Sequence, residues 1–348
     1  MAEFPSLGPT SRSRSVPALV GAFVVLLASA AGYAIQARRA AARDEAQRTA
    51  LAAAAAVAPA APTEPAPDAA SPPPPGGEAL LARAGLHRAS LRMNGPLESN
   101  LVAVVGRTVG LPLTQVVVRA LSWWVGVPGD FRRGDLVDVL FEERAGEEPL
   151  VHAVRLRSGK LSRYFRAYRY RQSGARFARF YQPDGSELEQ RLEASPLDEY
   201  EQITSLLRDG RGHKGVDFRV PVGTPVKATF DGTITRRTWS FKANGNSLEV
   251  KEDGGQHRTA VFLHLAELPE ESRVGVAFKR GQVIAKSGNT GHSMAPHLHY
   301  QLAGPGQPVL DPFAGATTRR ALPAEERTSF DAEVRRLDGL LDAGKPGT

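Results

Sequence analysis

From Gln202 onward the chain is a series of short apolar runs interrupted by glycine turns. Pro221-Val222-Gly223-Thr224, Asp231-Gly232, Asn244-Gly245-Asn246, Asp253-Gly254-Gly255 and Gly288-Asn289-Thr290-Gly291 follow one another closely. Such spacing leaves room for strands and turns, and predicts a mainly-β domain over residues 198–315. The 348 residues suffice for a second modest domain and further segments.

That second domain falls upstream. Residues 135–143 (DLVDVLFEE) interleave apolar and charged side chains as a half-buried strand does. Residues 151–157 and 164–171 do so less cleanly, with Ser158-Gly159 and Asp184-Gly185 as turns. The stretches 101–105 and 111–124 read as short helices. Together, residues 79–197 read as an α+β accessory domain. Downstream, Phe330, Val334, Leu337, Leu340 and Leu341 fit one face of an amphipathic helix within a tail over 316–348.

The N-terminal part is of another kind. Residues 15–36 carry no charge and are rich in Val, Leu and Ala. As a helix they would span about 33 Å, against roughly 30 Å for a hydrocarbon core. Arg12 and Arg14 precede the run. Ala28-Ser29-Ala30 offers a cleavage site, but the apolar run continues through Ile35, which favours an uncleaved signal anchor and transmembrane helix. Residues 1–14 then stay cytoplasmic. Residues 37–78 form a linker whose Ala/Pro content, including Pro72 to Pro75, cannot build a packed core. The expected location is the cell envelope, anchored in the cytoplasmic membrane with the folded domains in the periplasm.

Charge narrows the partners. The formal net charge is +7, which favours anionic partners. Between Arg155 and Arg179 stand nine Lys or Arg and no Asp or Glu, with aromatics interleaved. That pattern resembles a nucleic-acid surface. Strand alternation favours the plainer arrangement of aromatics inward and arginines solvated outward, and no nucleic-acid partner is expected.

The chemistry concentrates in histidine. Six of the eight histidines lie between His213 and His299. His213 and Asp217 stand four apart in HKGVD. His297 and His299 stand two apart in PHLHY, which on a strand puts both imidazoles on one face and turns Leu298 to the core. His264 ends the apolar run FLHL. His257 and His292 sit on or near turns as bystanders. With no cysteine in the chain, a metal must be held by His, Asp or Glu. One carboxylate and two imidazoles suit Zn2+, leaving a fourth position open.

Residues 203–313 resemble the lysostaphin/LytM-type zinc metallopeptidases, through HKGVDFRVPVGTPVKAT, DGTI, GNSLEV, FLHL, GQVIAKSGNTG, APHLHY and DPF. The resemblance implies His213, Asp217 and His299 as zinc ligands and His264 and His297 as non-ligand catalytic histidines. It implies hydrolysis of peptide cross-links in bacterial peptidoglycan. Residues 91–196 are more weakly similar to the accessory region of murein DD-endopeptidases of the MepM type, through DFRRGD, VLFEE, FRAYRY and YQPDG. Three departures stand out. ITSLLRDGRG replaces the usual Arg-x-His-Pro stretch before His213, Gln301 stands where Glu is frequent, and Phe262 replaces a common Tyr, removing a hydroxyl from the substrate groove. A non-catalytic LytM-type regulator of a cell-wall amidase is the alternative; such domains have usually lost several of these side chains. A lipoyl-type carrier would need a Met-Lys pair at a hairpin tip, which is missing.

Overall fold

The structure is a computed structural model, and it describes residues 77–207 and 213–343. The expected membrane helix over 15–36 and most of the linker lie outside the described residues. Among the described residues no helix is long and apolar enough to cross a membrane.

The upstream lobe is a five-stranded antiparallel sheet in the order β1 (His87–Arg92), β2 (Leu136–Glu142), β3 (Leu150–Ser158), β4 (Arg163–Tyr170), β5 (Arg179–Tyr181). Alternation along these strands leaves two apolar faces, and each needs a cover. Helices α2 (Leu97–Val105) and α3 (Arg107–Leu121) cover one, burying Leu101, Leu113 and Val117 against Val139, Val154 and Leu156. The other is covered by α1 (Gly77–Arg83) and by α5 (Arg327–Asp342) from the far end of the chain. Leu81, Phe330, Leu337 and Leu341 pack there on Leu140, Ala153 and Tyr168. The tail helix is therefore a layer of the upstream lobe.

This packing corrects one expectation about the basic stretch. Arg155 was expected to face solvent, yet it is 5% exposed. Its side chain follows Ala153 onto the α5 face, where Asp342 accepts at 2.7 Å and Asp338 also pairs with it. Two carboxylates four apart on α5 make that burial tolerable. Tyr168 and Tyr181 are buried as the alternation requires, while Tyr164 stays 45% exposed.

The downstream lobe is built on an antiparallel sheet in the order β13 (Ala277–Phe278), β10 (Gly232–Arg237), β11 (Asn246–Glu252), β12 (Thr259–Leu265), β15 (His297–Gly304), β8 (Val216–Arg219), β7 (Gln202–Ser205), with β16 (Gln307–Leu310) also on β15. A two-stranded sheet of β9 (Pro225–Lys227) and β14 (Val283–Lys286) completes the core. Val216, Phe218, Phe262, Leu298 and Tyr300 are buried on the core face of the three strands that carry Asp217, His264, His297 and His299. Trp123 packs against both cores and meets Phe313 edge-on at 5.2 Å, joining the lobes.

Candidate metal centre and catalytic site

The register of β12, β15 and β8 assembles the site. His299 lies opposite Leu263 on one side and Asp217 on the other. Directly opposed residues share a face, so His299 and Asp217 project together. His213 precedes β8 and folds over the same face. The closest approaches are 2.9 Å from His213 Nε2 to His299 Nδ1, 3.0 Å from His299 Nδ1 to Asp217 Oδ1, and 3.2 Å from His213 Nε2 to Asp217 Oδ1. These three residues form a metal-capable group among the described residues. They line a depression of about 520 Å³, with Ser205, Asn244 and Leu263 around them.

A tetrahedral zinc with bonds of about 2.0–2.2 Å keeps its donors roughly 3.3 Å apart, so the triangle fits that ion after a small expansion. The hydrogen bonding agrees. His213 Nδ1 lies 2.8 Å from the Ser205 hydroxyl; with Nδ1–H donating there, Nε2 keeps its lone pair for a metal. Burial alone would raise the pKa of Asp217, but hydrogen bonds from His213 and His299 outweigh it and hold the carboxyl well below the usual carboxylate range. The carboxylate is thus ionised and ready to ligate.

His297 and His264 stand beside this triangle. The His297 ring lies 4.7 Å from that of His264, and His297 Nε2 is 3.9 Å from Asp217 Oδ1. Each has its tautomer set by a backbone carbonyl, which can only accept. His264 Nδ1 donates to Thr290 O at 2.9 Å, and His297 Nδ1 donates to Ala295 O at 2.8 Å. Both Nε2 atoms are left as acceptors in the neutral rings. Burial pushes the His264 pKa down, so its ring is neutral near pH 7.

The placement of His264 depends on a backbone anomaly. Strict alternation would send it to the core face with Phe262. Its φ is +60°, and the ring lies 6.2 Å from that of His299. A left-handed conformation at a non-glycine residue costs on the order of 1 kcal/mol or more and persists only where surrounding structure enforces it. The strand ladder and the bond to Thr290 supply that enforcement.

All five sequence-derived residues come together. His257 and His292 stay exposed. Phe262 needs a correction: it is fully buried against Tyr300, so a hydroxyl there would enter the core and not the groove. Gln301 donates to Pro308 O at 3.3 Å. Sequence reasoning missed Ser205, Thr290 and Ala295. The last two act through carbonyls, which no side-chain pattern reports. It also passed over Gly215, between His213 and Asp217, where an added Cβ would lie 2.8 Å from the His299 ring.

Residues 211–312 match the model of peptidase family M23. The chain carries an M23 peptidase domain. Peptidoglycan DD-endopeptidase ShyB of Vibrio cholerae is 30% identical over 263 residues, covering 70% of this chain and 58% of that protein. Glycyl-glycine endopeptidase ALE-1 of Staphylococcus capitis is 44% identical over 93 residues, 27% of this chain and 25% of that protein. This M23 chain spans little more than half the length of ShyB. A crystal structure of a zinc-containing peptidase from Vibrio cholerae superposes with a TM-score of 0.32 at 25% identity, over 66% of this chain and 71% of that one; a score so low adds nothing to the fold assignment.

Proposed function

We propose that this chain is a zinc metallo-endopeptidase that hydrolyses peptide cross-links of bacterial peptidoglycan. The observation that carries the reading is the arrangement of three donor atoms at 2.9–3.2 Å, flanked by His264 and His297 with acceptor nitrogens free. A regulator that works by contact has no use for two tautomer-locked imidazoles beside a metal-capable triangle. The relatives named above cut two different peptide linkages, and both are amides that this set of groups can serve.

His213, Asp217 and His299 would hold the ion. When bound, zinc supplies Lewis acidity that polarises the scissile carbonyl and acidifies the attacking water. The protein does the rest. A neutral imidazole of His264 or His297 accepts the proton of the attacking water at Nε2. The imidazolium so formed stabilises negative charge on the carbonyl oxygen or returns the proton to the leaving amine. The carbonyls of Thr290 and Ala295 keep both rings oriented throughout.

The test is metal analysis and digestion of chemically defined muropeptides, with and without chelator, read by mass spectrometry. The wild-type protein should carry one zinc and lose cleavage on chelation, and Asp217→Ala should lose the metal. Full zinc occupancy in Asp217→Ala, or cleavage that survives chelation, would overturn the assignment.

A further inference from the structure

A cavity of about 730 Å³ lies between the upstream sheet and the peptidase sheet. It reaches Ala295, whose carbonyl orients His297. Five guanidiniums line it: Arg119, Arg144, Arg169, Arg179 and Arg219. Four are engaged in ion pairs. Arg119 and Arg219 share Glu148, at 2.6 Å each. Arg144 pairs with Glu142 and Glu147 at 3.4 and 3.6 Å. Arg179 pairs with Glu199 at 3.0 Å and Glu187 at 3.5 Å.

Arg169 is the exception. It lies on β4 opposite Phe180 and is half-buried, and among the described residues it enters no hydrogen bond or ion pair. Burial, and repulsion from Arg144 and Arg171, lower its pKa, against weaker attraction from Glu201 and Glu142. A guanidinium remains charged even so. A cation withdrawn from water without an anion is unfavourable unless a ligand completes it. One unpaired positive charge among several acidic neighbours matches a monoanion better than a phosphate dianion. The planar fork of Arg fits a carboxylate in two parallel bonds.

We propose that Arg169 binds a free carboxylate of the substrate peptide in this cavity, making it a specificity-determining residue. The inference rests on the peptidase reading above. It gives the upstream lobe a direct part in choosing the substrate, through a side chain far in sequence from every proposed metal ligand.

The experiment uses the full-length zinc-loaded protein and two matched muropeptides, one with free carboxylates and one with them amidated. Arg169→Gln should raise KM for the free-carboxylate peptide by ~10–100-fold, the range of a charge-assisted hydrogen bond. Its kcat should stay within about twofold and its zinc content unchanged. Wild type should show the same KM rise on the amidated peptide, and the two changes together should add nothing further. Arg169→Lys, which keeps the charge, should recover part of the affinity and covers the case in which the glutamine variant folds poorly. Equal KM for both peptides in wild type, or a loss confined to kcat, overturns the proposal. If wild type cleaves neither peptide, the peptidase reading has failed. Equilibrium binding of the same two peptides then decides on Arg169 separately: a charge-dependent preference lost in Arg169→Gln supports it, and equal binding refutes it.

Discussion

Gly215→Ala is a one-carbon change that separates packing around the metal site from its chemistry. An alanine Cβ there would lie 2.6 Å from the Tyr300 carbonyl oxygen and 2.8 Å from His299 Cε1 and Nε2, where ordinary contacts begin at 3.4 Å. The carbonyl belongs to β15, which is laddered to β8 through Tyr300↔Val216, so it cannot retreat without stretching the sheet. The His299 ring is held on its other edge by Asp217. Something must move by more than half an ångström. Overpacking of this kind costs about 1–3 kcal/mol, which at ~2–4 °C per kcal/mol lowers Tm by roughly 4–8 °C for a mid-range cost. With His299 as a zinc ligand, as proposed, a ring displaced by that much should bind the ion worse by about 10–100-fold. Competition with a chromogenic chelator measures the affinity, and calorimetry the Tm. Gly223→Ala is the control. Its φ is +87° with nothing within 4 Å, so it should lose about 1 kcal/mol from backbone strain and leave zinc affinity alone. Wild-type zinc affinity in Gly215→Ala, or an equal loss in Gly223→Ala, would refute the reasoning.

Two further outcomes are expected. His264→Ala should keep its zinc and lose cleavage by ~10²–10⁴-fold in kcat, read on soluble muropeptides with metal content measured in parallel; loss of the metal would make His264 a ligand. Glu189 is buried with one oxygen bonded to Ile203 N at 3.2 Å and the other unpartnered, and burial pushes its pKa up to about 7 from an ordinary 4.5. The folded state therefore favours the protonated form: its contribution is complete below about pH 4.5 and is lost as pH rises through 7, on the order of 3 kcal/mol in total. Urea unfolding of wild type against Glu189→Gln from pH 4.5 to 8 should show wild type losing ground with rising pH, and parallel profiles would remove this group from the account.

Local sequence was enough to single out the five side chains that the fold brings together, and most of the strands around them. His297-Leu298-His299 sends two imidazoles to one face and Leu298 to the core because a strand has a period of two, a rule that needs no tertiary information. Glycine-containing turns likewise report themselves, since the left-handed φ at Gly223, Gly245 and Gly291 is a local property. What required the folded chain was everything that depends on distant pairing. The register that sets Asp217 against His299 joins residues 82 apart. The burial of Arg155 needs carboxylates 183 and 187 residues downstream, so alternation within β3 could not foresee it. His264 reaches the site only because its φ of +60° breaks alternation, and that strain is enforced by neighbouring strands. The protonated nitrogen of His264 and of His297 is set by the carbonyls of Thr290 and Ala295. Backbone acceptors are the same at every residue, so their positions become information only once the chain has folded.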